Sequence, residues 1–515
     1  MKSYKIVIYI FSILIALAVI SVFFPKNGVT FGNKTLRFPS IVSMTEHYKA
    51  DIAIDSSMTH VVVETTVGSD SLAHYRKMLA TDKIHLYFPN NDFTFFDKFF
   101  EAAEHAAKLN TTVRILHYGD SQIEMDRITN NLRDNLHKLF GGYGPGLLPY
   151  QQTIYSLSVS QSSTGNPDKY AAYGNFSRAK DDVYGPLVKF FRVSGNTSFR
   201  AVVEDNKNNE YKDRIFSTVT LIYKADNNFN VTVKANGKTY EQTVPGSSKD
   251  LVRTMVWKLD TTANQVILSI KGSADIYGVA LDGNYGVNID NIPIRGSAGT
   301  FFSSLEPKSL TAAYDLLNVK MIILQFGGNS VPGIGGKSSI QKYASQIAQQ
   351  IKFFQKVAPE ATLLFIGPSD MSTKWGGELR TYTHLPQLIA TLKDTVLAYG
   401  VAYWDIYEIM GGNSSMISWV KQGLACGDYI HFTLKGASVI GNKLSDVVSL
   451  LYNYYTLRDP KPILSHDALK VDTSKQTVVS KPSEVKTTKK AKPKVKAKSK
   501  AKAKTKAKPV HQDAE

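Results

Sequence analysis

The stretch Val113-Arg114-Ile115-Leu116-His117-Tyr118-Gly119-Asp120-Ser121-Gln122 joins a short β-prone run to a glycine and a serine. Apolar residues then recur at helical spacing as far as the glycine pair at 141–142. They are Ile123, Ile128, Leu132, Leu136 and Leu139. This pattern predicts a β-strand, a tight turn and a helix, with Ser121 at the junction.

Strand-like and helical segments alternate again in the later part of the chain. Nearly continuous apolar strands are predicted at 319–326, 361–366 and 401–406, and helices at 339–357, 385–399 and 433–455. Strands of a parallel sheet are buried on both faces and are therefore apolar throughout, while helices cover the sheet on each side. The predicted fold class is α/β, with a three-layer parallel sheet.

The chain between these two parts has a different texture. Short alternating strands such as 217–223, 230–233 and 265–270 are separated by turns such as Ala235-Asn236-Gly237-Lys238. This pattern predicts an all-β sandwich inserted into the α/β unit. Its aromatic residues, Trp257 among them, are compatible either with a sandwich core or with a sugar-stacking face.

The composition changes divide the chain into six predicted segments. They are an N-terminal transmembrane anchor (1–25), a region of unknown role (26–92), the first part of the α/β domain (93–175), the β-sandwich module (176–285), the second part of the α/β domain (286–458) and a disordered Lys-rich tail (459–515). The total of 515 residues agrees with more than one folded unit.

The N-terminus predicts export. Lys2 and Lys5 precede an uncharged apolar run of 19 residues, Ile6 to Phe24, which is long enough to span a bilayer. The positive-inside rule keeps the lysines in the cytoplasm and places the rest of the chain outside it, in the periplasm. A cleavable signal peptide is the alternative, because Ala16-Leu17-Ala18 resembles a cleavage site.

The net charge of +17 is concentrated at the other end of the chain. Between Lys481 and Lys508 there are 13 lysines and one acidic residue, Glu484. This segment cannot bury a core, so disorder is predicted. Export argues against nucleic acid as its partner and favours an anionic envelope polymer or lipid head groups. The single cysteine, Cys426, excludes an intramolecular disulfide.

Two short motifs carry the residues of a possible nucleophilic site. Ser121 follows the glycine of the turn, where its hydroxyl is exposed beside a helix N-terminus, although serine is also a common N-cap. Asp428 and His431 stand three residues apart just before the last predicted helix. Asp428 can fix the tautomer of His431, which can accept the proton of Ser121.

These blocks resemble those of the SGNH (GDSL-like) hydrolases, in which Gly-Asp-Ser, a later glycine, Gly-x-Asn and Asp-x-x-His follow in that order. The matching segments are Gly119-Asp120-Ser121, Gly296 in Ile294–Gly299, Gly327-Gly328-Asn329 and Asp428–His431. The resemblance implies an SGNH, flavodoxin-like fold, with the Ser121 and Gly296 N–H groups and the Asn329 amide as an oxyanion hole. Gly299 is a second candidate for the glycine, and Ser330 departs from the more usual aspartate.

The layout with an inserted β module, together with the tracts at 367–372 and 404–412, resembles that of envelope peptidoglycan O-acetylesterases. This resemblance implies an esterase that removes O-acetyl groups from an envelope glycan through Ser121, His431 and Asp428. Acyl transfer by the same residues and non-catalytic glycan binding remain open. No cofactor and no metal are expected, because His117 and His384 lack ligand spacing. Glu124 and Asp126 are predicted to be solvated helix charges.

Overall fold

The computed structural model describes residues 69–203 and 215–458, together with the short strand pair Val29–Phe31 and Lys34–Leu36. The membrane anchor predicted at 1–25 and the tail predicted at 459–515 lie outside the described residues. Within the described residues, no helix combines the length and the hydropathy needed to cross a membrane.

The elements are numbered in chain order. The strands are β1 Val29–Phe31, β2 Lys34–Leu36, β3 Leu86–Tyr87, β4 Thr112–Gly119, β5 Gly146–Leu148, β6 Val159–Thr164, β7 Asp168–Ala171, β8 Lys189–Val193, β9 Asn196–Val203, β10 Phe216–Lys224, β11 Phe229–Ala235, β12 Lys238–Val244, β13 Arg253–Ala263, β14 Gln265–Lys271, β15 Ala274–Asp282, β16 Gly286–Pro293, β17 Val319–Gln325, β18 Thr362–Ile366, β19 Ser372–Trp375, β20 Glu378–Thr381 and β21 Ala402–Trp404. The α-helices are α1 Ser69–Leu79, α2 Asp97–Lys108, α3 Thr129–Phe140, α4 Pro307–Leu316, α5 Lys337–Val357, α6 Leu385–Ala398, α7 Ile406–Met410, α8 Ser415–Lys421 and α9 Leu434–Arg458.

A mixed α/β domain is built on one sheet with the strand order β16-β4-β17-β18-β21-β3. Its first five strands are parallel, and β3 is antiparallel at the edge. Side chains of β4 alternate between the two faces: Leu116 and Tyr118 join one apolar core, and Val113 and Ile115 join the other. The predicted α/β class with a parallel sheet is confirmed.

The β module consists of two antiparallel sheets, β13-β10-β15-β8-β7 and β12-β11-β14-β9-β6, with β5 paired to β15. Both sheets contribute to one apolar core, which contains Trp257 at 3% exposure. Trp257 therefore packs in the core and offers no face to a sugar.

Two boundaries differ from those predicted. Strands β5 to β7 already belong to the module, so it begins near Gly146 and not at residue 176. Residues from Ser69 onward pack on the α/β domain through Tyr75 and Leu79, ahead of the boundary at residue 93. The segments that begin at Ser69 and Gly146 show no sustained apolar periodicity. Tertiary packing therefore decides which domain each of them joins, and no local sequence pattern reveals it.

A buried ion network fixes the module to the α/β sheet. Arg114 of β4 is 3% exposed and donates to Asp290 of β16 at 2.7 Å and to Asp282, which lies at the end of β15 in the module. Asp290 also accepts from the Leu147 N–H at 2.8 Å. Removing one partner of such a network leaves uncompensated buried charge, which is strongly destabilising.

We therefore expect Arg114→Met to lower the free energy of unfolding by about 3–5 kcal/mol, measured by urea denaturation. The matched control is Arg192→Met, which removes a half-exposed pair with Asp275 in the same module and should cost about 1 kcal/mol or less. An equal loss of unfolding free energy in the two variants would contradict the view that buried charge fixes the β module to the α/β sheet.

Candidate active site

The sequence motifs meet at the carboxyl edge of the parallel sheet. Ser121 follows β4, Gly296 follows β16, Asn329 follows β17, and the Asp428–His431 loop precedes α9. Ligands of open α/β sheets bind in crevices at this edge. Here all these residues line one cleft of about 740 Å³.

A hydrogen-bond relay links the predicted nucleophile, base and acid. Ser121 Oγ lies 2.8 Å from His431 Nε2, and His431 Nδ1 lies 2.7 Å from Asp428 Oδ2. A carboxylate accepts only, so the ring proton sits on Nδ1 and Nε2 is left to accept from the serine hydroxyl. Ser121 and His431 are 310 positions apart in sequence, yet the relay has the geometry of a base-activated hydroxyl.

Asp428 has a second task in its own loop. Its Oδ1 accepts from the N–H groups of Ile430 and His431 at 3.0 and 3.1 Å, which closes the turn that carries the histidine. Burial raises the pKa of Asp428, but the hydrogen bonds from the His431 side chain and from the two N–H groups outweigh it, and the pKa lies below its usual value. The carboxylate is therefore ionised at neutral pH.

The backbone after Ser121 is not the long helix that the sequence predicts. A 3-10 segment covers Ser121–Asp126, with positive φ at Met125 and Asp126, and α3 begins only at Thr129. Asp120 is the N-cap of the 3-10 segment, and its side chain accepts from the Gln122 N–H at 2.9 Å. Ser121 consequently stands on a sharp turn, with little support from a helix dipole.

Two side chains that the sequence analysis missed hold the serine turn to the histidine loop. Gln122 donates to Ile430 O at 2.7 Å and accepts from Phe432 N at 3.2 Å. Arg127 donates to Ser121 O at 2.7 Å and to Phe432 O at 2.8 Å. The only sequence signal was the position of Gln122 directly after the serine.

The predicted oxyanion donors border the same cleft. Gly296 has a φ of +73°, and a side chain there would point into open space. Asn329 Nδ2 donates to Asp120 Oδ2 at 3.2 Å and to Ser297 O at 3.1 Å, so both amide hydrogens have partners. Burial raises the pKa of Asp120 to about 6. This pKa is still below neutral pH, so the Asp120 side chain is mostly ionised there and orients the Asn329 amide.

The carboxylates after Ser121 are not solvated, contrary to the prediction. Glu124 is buried and accepts from Arg295 Nε at 2.6 Å. Asp126 is buried and accepts from Arg133 at 2.7 Å. Their positions on the irregular turn aim them inward, which helical spacing could not reveal.

His117 is a structural residue. It lies in the sheet, with hydrogen-bond contacts to Gln325 and Thr129 at 3.0 and 2.9 Å. Burial lowers its pKa to about 4. Among the described residues, no three His, Cys, Asp or Glu side chains are grouped so as to hold a metal ion.

A solved structure of a peptidoglycan O-acetylesterase superposes on this chain with a TM-score of 0.55 and 20% identity, covering 71% of this chain and 99% of that one. The chain has that enzyme's fold. The fold of this chain is therefore shared with an esterase of the kind that the sequence resembles.

Other comparisons add less. A family two carbohydrate esterase from Cellvibrio japonicus matches with a TM-score of 0.24 and 10% identity over 58% of this chain and 99% of that one. A superposition of that quality supports no conclusion about this chain. No family model matches the chain, and no curated protein does.

Proposed function

We propose that this protein is a serine esterase that removes O-acetyl or similar small acyl groups from a cell-envelope glycan, with peptidoglycan as the substrate. The observation that carries the proposal is the continuous relay from Ser121 through His431 to Asp428 in an open cleft. The shared fold with a peptidoglycan O-acetylesterase supports the choice of glycan.

The relay gives each residue a role in acyl transfer. His431 Nε2 takes the proton from Ser121 Oγ as the oxygen attacks the ester carbonyl, and Asp428 stabilises the imidazolium. The tetrahedral intermediate collapses when His431 passes the proton to the sugar oxygen that leaves. Water then attacks the acyl-serine by the same path, and acetate is released.

Negative charge on the carbonyl oxygen is stabilised by the Ser121 and Gly296 N–H groups and by the Asn329 amide. The amide now donates to Asp120 and Ser297 O. It reaches the oxyanion by exchanging the exposed bond to Ser297 O, while Asp120 continues to hold it.

Asn329→Ala should lower kcat by roughly 10²–10³ with little change in KM, because the donor acts mainly on the transition state. Asn329→Asp should lose at least as much, since a carboxylate cannot donate and would repel the oxyanion. Steady-state kinetics on a chromogenic acetate measures both. An Asn329→Ala rate within threefold of wild type would contradict this role.

The experiment on function compares acetate release from O-acetylated peptidoglycan and from a small chromogenic acetate. Serine-dependent release from both substrates is expected. Release from the small ester alone would place the acyl group on another polymer or acceptor, and product analysis with added glycan would then detect transfer. Release from neither would favour glycan binding without catalysis.

We also propose that residues 1–25 anchor the protein in the cytoplasmic membrane, with the esterase on the periplasmic side. The Lys-rich tail would bind anionic envelope polymer or lipid head groups through its charge. Removing residues 478–515 should weaken envelope association without slowing hydrolysis of a small ester. Slower hydrolysis in that truncated protein would assign the tail to the active site instead.

A further inference from the structure

A second cavity of about 350 Å³ lies beside the catalytic cleft. Met125, Ile154, Tyr155 and Arg295 line both spaces, so the two are continuous along one surface. Strands β7 and β8 of the module contribute to its other wall. A volume of this size is within the usual range of small-molecule sites.

One buried cation in this cavity has no partner among the described residues. Lys189 of β8 is 8% exposed and lines the cavity. Within the part of the chain that the structure describes, no residue forms an ion pair or a hydrogen bond with its ammonium group. The charge that acts on it is the like charge of Lys169, which lines the same cavity.

Asp126, the carboxylate among the residues that line the cavity, already has hydrogen-bond partners. Asp126 accepts from Arg133 through both oxygens, at 2.7 and 3.2 Å, and also from Ser158. Burial and Lys169 lower the pKa of Lys189 to about 8, so the group is still mostly charged at neutral pH. A buried cation without a counter-charge is costly, and a bound anion would remove that cost.

Aromatic rings form the rim of the cavity. Tyr155 and Phe176 are 60% and 42% exposed, and Tyr173 lines the cavity with them. Lys169 Nζ stands 3.6 Å from the Phe176 ring centre, which holds that ring at the rim. Exposed rings next to a polar interior suit the apolar face of a sugar.

We propose that this cavity is a subsite for an acidic sugar, such as a muramic acid that carries no peptide, in which the Lys189 ammonium pairs with the free carboxylate of the sugar while the rim aromatics contact the ring. The inference rests on the proposed function, because the neighbouring cleft would hold the ester of the same chain. It assigns selectivity for acidic glycans to a residue of the β module.

The test measures binding and so does not depend on turnover. Ser121→Ala protein is titrated with N-acetylmuramic acid and with its uncharged carboxamide, followed by ligand-observed NMR. The acid should bind roughly tenfold more tightly or better than the amide, as expected for a hydrogen bond to a charged group. Adding Lys189→Met should abolish that difference.

Lys258→Met is the matched control, because Lys258 is an exposed lysine on β13 at the opposite edge of the same sheet. It should keep the preference for the acid. The thermal midpoint of the Lys189→Met protein verifies that it folds. Equal binding of acid and amide, no binding of either, or a preference that survives Lys189→Met would each overturn the subsite.

The subsite and the proposed function fail in different ways. If the unmutated protein releases no acetate but still prefers the acid to the amide, the esterase proposal ends and Lys189 remains a carboxylate-binding residue. Normal acetate release without any acid preference would end the subsite and leave the esterase standing.

Discussion

Ser121→Ala and His431→Ala should each lower kcat on a small acetate by roughly 10⁴–10⁶. Both changes remove one end of the 2.8 Å contact that activates the hydroxyl. Because the two residues act as a unit, the double variant should be no slower than the worse single variant by more than a few-fold. Initial rates over a long time course measure all three proteins.

Each change has a matched control in the same domain. Ser369→Ala removes a cleft serine whose hydroxyl accepts from Gln122 at 3.3 Å, and His384→Ala removes the residue that precedes α6. Both should stay within about tenfold of wild type. A Ser121→Ala protein with wild-type rates would rule out the relay as the source of activity.

Asp428→Asn should lower kcat by about 10²–10⁴. The amide oxygen can still accept from the N–H groups of Ile430 and His431, so the turn survives. The amide nitrogen, however, would donate to His431 Nδ1, which moves the ring proton to Nε2 and leaves no acceptor for Ser121. The loss should lie toward the lower limit because the Asp428 side chain is 46% exposed to water.

The charge state of Asp428 and a second variant test whether this residue orients the His431 ring or only stabilises the turn. The hydrogen bonds from His431 and Ile430 hold the pKa of Asp428 below its usual value, so its carboxylate loses its charge at a lower pH than an ordinary aspartate does. Asp428→Ala loses the turn as well as the tautomer and should lower the thermal midpoint, whereas Asp428→Asn should not. Equal activity of Asp428→Asn and wild type at neutral pH would contradict the assigned role.

The sequence predicted the parts of the site that depend on local chemistry and strand order. Gly119, Ser121 and Asn329 each lie at or just after the end of a largely apolar strand, and parallel strands place their carboxyl ends together. The Asp428–His431 spacing is local, so the contact between their side chains follows from one turn.

What the sequence could not predict depends on distant partners. The turn after Ser121 bends at Met125 and Asp126, where Asp126 pairs with the buried Arg133 and the buried Glu124 pairs with the exposed Arg295. Arg127 and Lys189 belong to no motif in the sequence. Their positions are set by the loop of His431 and by the β module, far along the chain.

The central claim is that Ser121 is an activated nucleophile, and covalent labelling with a serine-directed fluorophosphonate tests it most directly. Mass spectrometry of the digested protein should place one adduct on the peptide that contains Ser121, and His431→Ala should suppress it. Absence of the adduct, or equal labelling of the Ser121→Ala protein at another residue, would contradict the account.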